Sequence, residues 1–210
     1  MSENEPSITS DATKELKCLS AIEIEGETIY CDMSLQEATK FNHHVCVKNI
    51  LGKICGETCD QYEQSKQKEC FFSSIEQDNY ETVKVFLEMG FSPTAPGKFY
   101  SKIRITPLHI ASEILSSKMI ELLLESGADI NATNEAKESP LHYIIKYGHY
   151  KNNPKFETDP EKEMRGVECL KILLSKKDLE VNALDARGRT ALHLAAMQRN
   201  ESYVTELIEG

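Results

Sequence analysis

A six-residue pattern occurs three times along this chain: Thr106-Pro107-Leu108-His109-Ile110-Ala111, Ser139-Pro140-Leu141-His142-Tyr143-Ile144 and Thr190-Ala191-Leu192-His193-Leu194-Ala195. The first two copies start 33 residues apart and the next pair 51 apart, one period plus an insertion of 18. A second signal keeps step with the first. Leu122-Leu123-Leu124 runs on to Gly127 and Asn131, and Ile172-Leu173-Leu174 runs on to Val181-Asn182-Ala183. A unit this short, recurring at a fixed period, buries its apolar face only against its neighbours. The chain must therefore stack units in a line rather than wrap a single core.

Each part of the pattern has a local reason. Thr or Ser caps a helix start, and Pro suits the first helical position, where its missing N–H leaves nothing unpaired. Leu and a small Ala face inward, the Leu run is the buried stripe of a second helix, and Gly127 ends that helix in a left-handed cap. At these residues the chain resembles the ankyrin-repeat family. The resemblance implies an all-α solenoid of helix-turn-helix units with β-turn fingers, and a non-catalytic module that binds another protein. His109, His142 and His193 then read as structural hydrogen-bonding groups rather than catalysts.

Two weaker copies lie upstream. Phe71–Gly90 aligns without gaps on Leu108–Gly127, and Leu35–Leu51 on Leu108–Leu124, with Ala38 on Ala111 and Cys46 on Met119. Five repeats result, with helix pairs expected near 34–53, 70–89, 107–126, 140–175 and 191–209. The expected organisation is a disordered tail over 1–15, an atypical capping segment over 16–31 and the repeat domain over 32–210. Around Glu25-Gly26-Glu27, residues 18–31 read either as a small hairpin or as an atypical finger over the first repeat. Val204, Leu207 and Ile208 form a last stripe with no obvious cover, and one reading of that ending is that the chain is a segment, or the N-terminal part, of a longer protein.

Two stretches depart from the period. An insertion at 149–165 separates the fourth pair of helices; Pro154, Pro160 and its charges make it a solvated loop or a partner contact. The finger between the second and third repeats is about four residues longer than the period requires. It carries Lys98, Phe99, Tyr100, Lys102 and Arg104, residue types found at the centres of protein interfaces.

Composition narrows the function classes. A net charge of −10 opposes a general nucleic-acid binder, which needs a basic face for phosphates. No window of about 18 apolar residues exists to span a membrane, so membrane insertion is not expected. The N-terminal residues are polar and acidic, unlike an export signal. Seven cysteines, an odd number, then fit free thiols in a reducing compartment, cytoplasmic and/or nuclear.

The sequence carries no catalytic or cofactor signature. There is no phosphate-cradling glycine loop, no nucleophile elbow and no zinc-protease motif. His43, His44, Cys46, Cys55, Cys59 and Cys70 are the best metal candidates, but Cys55 and Cys59 have no matching second pair, and Cys46 falls on a core position. No metal, cofactor or catalytic residue is therefore assigned. Some ankyrin repeats are hydroxylated on an asparagine that follows an acidic residue and Val or Ile; Asn131 and Asn182 match that pattern, and both also suit a turn-stabilising role.

The expected interface lies on the fingers and first helices, which form the concave face in proteins similar to this one. It comprises the Lys98–Arg104 finger, Glu113 and Ile114, Lys146 and Tyr147, Arg187 and Arg189, and Met197 and Gln198. A peptide segment or domain with apolar anchors and some acidic character would suit it. The expected function is to scaffold, inhibit or localise a protein partner; the alternative is the targeting or regulatory segment of a larger enzyme or channel continuing beyond Gly210.

Overall fold

The computed structural model describes residues 20–24, 27–31, 34–54, 61–97, 104–148 and 160–209. The tail over 1–15, Cys55, Cys59, the finger residues Lys98, Phe99, Tyr100 and Lys102, and positions 149–159 of the insertion lie outside the described residues.

Strands β1 (Ser20–Ile24) and β2 (Glu27–Cys31) pair antiparallel with Ile22 opposite Ile29, so the first of the two readings for 18–31, a hairpin, is what forms. Five helix pairs follow: α1 (Leu35–Lys40) with α2 (His44–Ile54), α3 (Gln61–Glu76) with α4 (Tyr80–Glu88), α5 (Pro107–Ile114) with α6 (Ser117–Glu125), α7 (Pro140–Gly148) with α8 (Pro160–Leu174), and α9 (Ala191–Gln198) with α10 (Glu201–Glu209). First helices pack on first helices and second on second, giving two rows, α1-α3-α5-α7-α9 and α2-α4-α6-α8-α10. This is the all-α solenoid that the period requires.

The caps explain the boundaries. Ser34 accepts the Glu37 N–H at 3.3 Å while the Glu37 carboxylate takes the Ser34 N–H at 2.9 Å, a reciprocal capping box. Ser116 caps α6 through the Met119 N–H. One left-handed residue turns a first helix into its second in four repeats: Asn42, Asp78, Leu115 and Arg199, with φ between 54° and 57°. Gly90 and Gly127 take the same region after α4 and α6, where the missing β-carbon removes the penalty.

The core runs between the two rows. Leu108, Ala111, Ile120 and Leu123 are fully buried, and so are their aligned counterparts Phe71, Ala38, Val47, Ile50, Leu141 and Leu173. Met119, Cys46 and Cys169 share one repeat position and none is exposed. In the second repeat an aromatic cluster of Phe71, Phe72, Phe86 and Phe91 fills the core, with ring centroids 4.9–5.7 Å apart.

Two boundaries differ from the sequence reading. α3 starts at Gln61, well before the expected position near 70, in a polar stretch with no breaker after Cys59. α8 starts at Pro160, so the last residues of the insertion are helical. Pro160 is the first residue of that helix, the place where proline is tolerated, and Glu161 and Glu163 suit its N-terminal dipole.

Candidate protein-binding cleft

The fingers are held to the first helices by the repeated histidine. The Thr106 N–H donates to His109 Nδ1 at 3.2 Å, so the ring proton of the neutral imidazole sits on Nε2 and donates to the Glu138 carbonyl at 3.0 Å. His142 repeats the device one unit on, accepting from the Ser139 N–H at 3.3 Å and donating to the Arg189 carbonyl at 3.1 Å. Burial lowers the His109 pKa, against the opposing pull of the Glu138 carbonyl and the Glu138 and Asp129 carboxylates, which fits the neutral ring. Each histidine thus joins its own helix cap to the next finger.

The fingers are closed tightly as well. Glu138 N–H donates to Asn134 Oδ1 at 2.9 Å, and the Asn134 amide donates to the Glu138 carboxylate at 3.0 Å and the Tyr143 hydroxyl at 3.1 Å. In the next finger, Asp185 accepts the N–H groups of Arg187 and Arg189 at 2.8 and 2.9 Å and the Arg189 guanidinium at 2.7 Å. Burial alone would raise the Asp185 carboxyl, but these bonds overcome it and hold it at about 2. Ala186 N–H donates to the Ala136 carbonyl at 2.7 Å and ties the two fingers together.

Between these fingers and α5, α7 and α9 opens a cleft of about 900 Å³. Lys146 lines it, 3.1 Å from the Glu138 carboxylate and 5.7 and 5.6 Å from the Tyr143 and Tyr147 ring centroids. Tyr143 is buried, which pushes its phenol up to about 12, and it packs edge-on to His109. Met197 is 68 % exposed on the wall, a large apolar side chain left to solvent.

The cleft brings together seven of the residues singled out in the sequence: Glu113, Lys146, Tyr147, Arg187, Arg189, Met197 and Gln198. Ile114 is half-buried beside it and Arg104 is exposed; neither lines it. Arg189 is not a free cation, because Asp185 holds it. The sequence reading missed Asn134, Glu138, Tyr143 and Asp185. Their signal was the repeat register itself: Asn134 and Asp185 each stand five residues before a capping Ser139 or Thr190. Asn131 bonds the backbone of the following finger, donating to the Asp178 carbonyl at 2.6 Å and accepting from the Glu180 N–H at 2.9 Å, whereas Asn182 is exposed.

Among the described residues, no group of three or more His, Cys, Asp or Glu is arranged to hold a metal ion. Burial pushes the Cys70 and Cys169 thiols up to about 11 and about 12, so both are protonated at neutral pH. Among the described residues, no helix is long and apolar enough to cross a membrane.

Comparison with known proteins agrees with this architecture. Residues 35–134 and 75–152 match a profile of ankyrin repeats in three copies, and 163–208 match one of ankyrin repeats in many copies. An ankyrin repeat protein of fowlpox virus is 34 % identical over 74 residues, covering 35 % of this chain and 39 % of the viral one. A phosphocholine transferase of Legionella pneumophila is 26 % identical over 163 residues, covering 77 % of this chain and 15 % of that protein. An ankyrin repeat protein of Rickettsia bellii is 32 % identical over 162 residues, covering 62 % of this chain and 66 % of its relative. The chain thus spans well under half the length of the first two.

Proposed function

The chain belongs to the ankyrin-repeat family, whose repeats are generally protein–protein interaction modules, and from that premise we propose that it scaffolds, inhibits or localises a protein partner through its fingers and concave face. The cleft between α5, α7, α9 and their fingers carries this reading. It pairs a rigid, hydrogen-bonded frame with an exposed Met197 and a half-buried Tyr147, an apolar surface ringed by polar groups. The module does no chemistry of its own and acts in the cytoplasm or nucleus. The net charge of −10 supports a protein rather than a nucleic acid as the partner.

Capture from lysate on three baits tests the reading: wild type, Phe99→Ala/Tyr100→Ala and Tyr147→Ala/Met197→Ala. A partner lost only with the second variant supports the cleft. Loss only with the first moves the interface to the 98–104 finger, and equal retention on all three baits contradicts both.

A second reading is favoured by the match to part of the Legionella phosphocholine transferase. Here the repeats serve as the targeting segment of a larger enzyme. The sequence of the full-length transcript decides between the two.

A further inference from the structure

The polar groups of the cleft are satisfied unevenly. Its donors are largely consumed: Lys146 by Glu138, Arg189 by Asp185, and the Asn134 amide by Glu138 and Tyr143. What remains is mostly acceptor. Among the described residues, Glu113 and Glu135 line the cleft without an ion pair and Gln198 Oε1 is buried without a hydrogen-bond partner. Arg187 is the one lining cation whose side chain has no described ion pair.

We infer that the cleft recognises a basic segment of its protein partner, its Lys or Arg side chains meeting Glu113 or Glu135 and a neighbouring apolar side chain lying on Met197. This rests on the cleft being the partner-binding surface. An acidic segment would meet two carboxylates with no described ion pair against one such guanidinium. To find more positive charge it would have to strip Lys146 from Glu138 or Arg189 from Asp185, leaving a buried carboxylate alone, which costs more than an exposed pair returns. A cationic donor breaks nothing that the fold has already made. It also relieves Glu113, whose acidity is weakened by burial first and then by the nearby Glu76 carboxylate, against a partial offset from the Lys146 ammonium. The same charge balance argues against the partly acidic partner expected from the sequence.

The test uses the whole chain, isotope-labelled, with backbone amides followed by NMR. Three acetylated, amidated pentapeptides are titrated to about 1 mM, the range that detects weak binding. They share two leucines and differ only in a central arginine, norleucine or glutamate. The arginine peptide is expected to move the amides of Glu113, Glu135 and Met197. Its affinity is expected to fall about tenfold in Glu113→Gln/Glu135→Gln, the loss of charged hydrogen bonds, while the thermal melt stays put; the single Glu113→Gln variant serves if the double one melts early. Equal or larger shifts at the same amides with the glutamate or norleucine peptide overturn the basic-segment inference and leave the cleft as a binding surface. Shifts confined to other amides, or none with any peptide, overturn the inference and count against the cleft itself.

Discussion

The Tyr203 ring of α10 occupies the space that a side chain on Gly166 of α8 would need, and its hydroxyl also lies against Gly148 at the end of α7. Tyr203 is fully buried, and its hydroxyl has no hydrogen-bond partner among the described residues. Two glycines therefore admit one large aromatic residue between the last two repeats. Gly166→Ala is expected to lose about 1–2 kcal/mol, the overpacking cost outweighing the gain in helix propensity. Tyr203→Phe is expected to be neutral or stabilising by up to about 1 kcal/mol, since it removes an unsatisfied buried hydroxyl. Urea unfolding of the two variants and their double mutant checks both effects, and the double mutant should show coupling between the sites.

The neutral His109 makes stability depend on pH. Its folded pKa lies below the ordinary 6.5, so the unfolded chain binds more protons between the two values. The stabilisation is complete above 6.5 and is lost as pH falls from there toward the folded value, with a slope of up to about 1.4 kcal/mol per pH unit. Urea midpoints measured from pH 7.5 down to pH 5 should fall along that limb. His109→Gln should be less stable at neutral pH and flatter across this window.

Arg199 is exposed and sits in the left-handed region with φ 57°. A β-carbon there costs about 1 kcal/mol, a penalty glycine escapes and asparagine tolerates. Arg199→Asn is expected to raise the melting temperature by a few degrees and Arg199→Gly by less, because glycine adds entropy to the unfolded chain. A calorimetric scan of both variants reads the difference.

Thiol labelling provides a separate check on the core. Cys70 and Cys169 are buried and remain protonated at neutral pH, so neither combines access with thiolate character. Iodoacetamide at pH 7.5, followed by peptide mass spectrometry, should leave both unmodified in the folded chain and modify both in urea. Fast modification of Cys169 in the absence of urea would place it outside the core.

The three strong repeats were legible because one motif encodes a cap, a proline start and a buried leucine together. The alignment of Cys46 on Met119 points to the core, and Cys46 is buried there, as is Cys169 at the same repeat position. The starts of α3 and α8 were not legible, because Gln61–Glu69 has no apolar stripe and Pro160 reads equally as a breaker or a first residue. In the cleft, first-helix positions could be picked from the register. The pairing of Lys146 with Glu138 and of Arg189 with Asp185 could not, since each pair is closed by the fold of a finger rather than by spacing along a helix. That pairing leaves Arg187 as the lining cation with no described ion pair.

The most direct test of the account is a binding isotherm for the captured partner on wild type and on Met197→Ala, a truncation of an exposed side chain that should leave the fold intact. A loss of affinity of about tenfold or more at an unchanged melting temperature is the predicted result. Affinities within about twofold of each other would contradict the claim that this cleft is the binding surface.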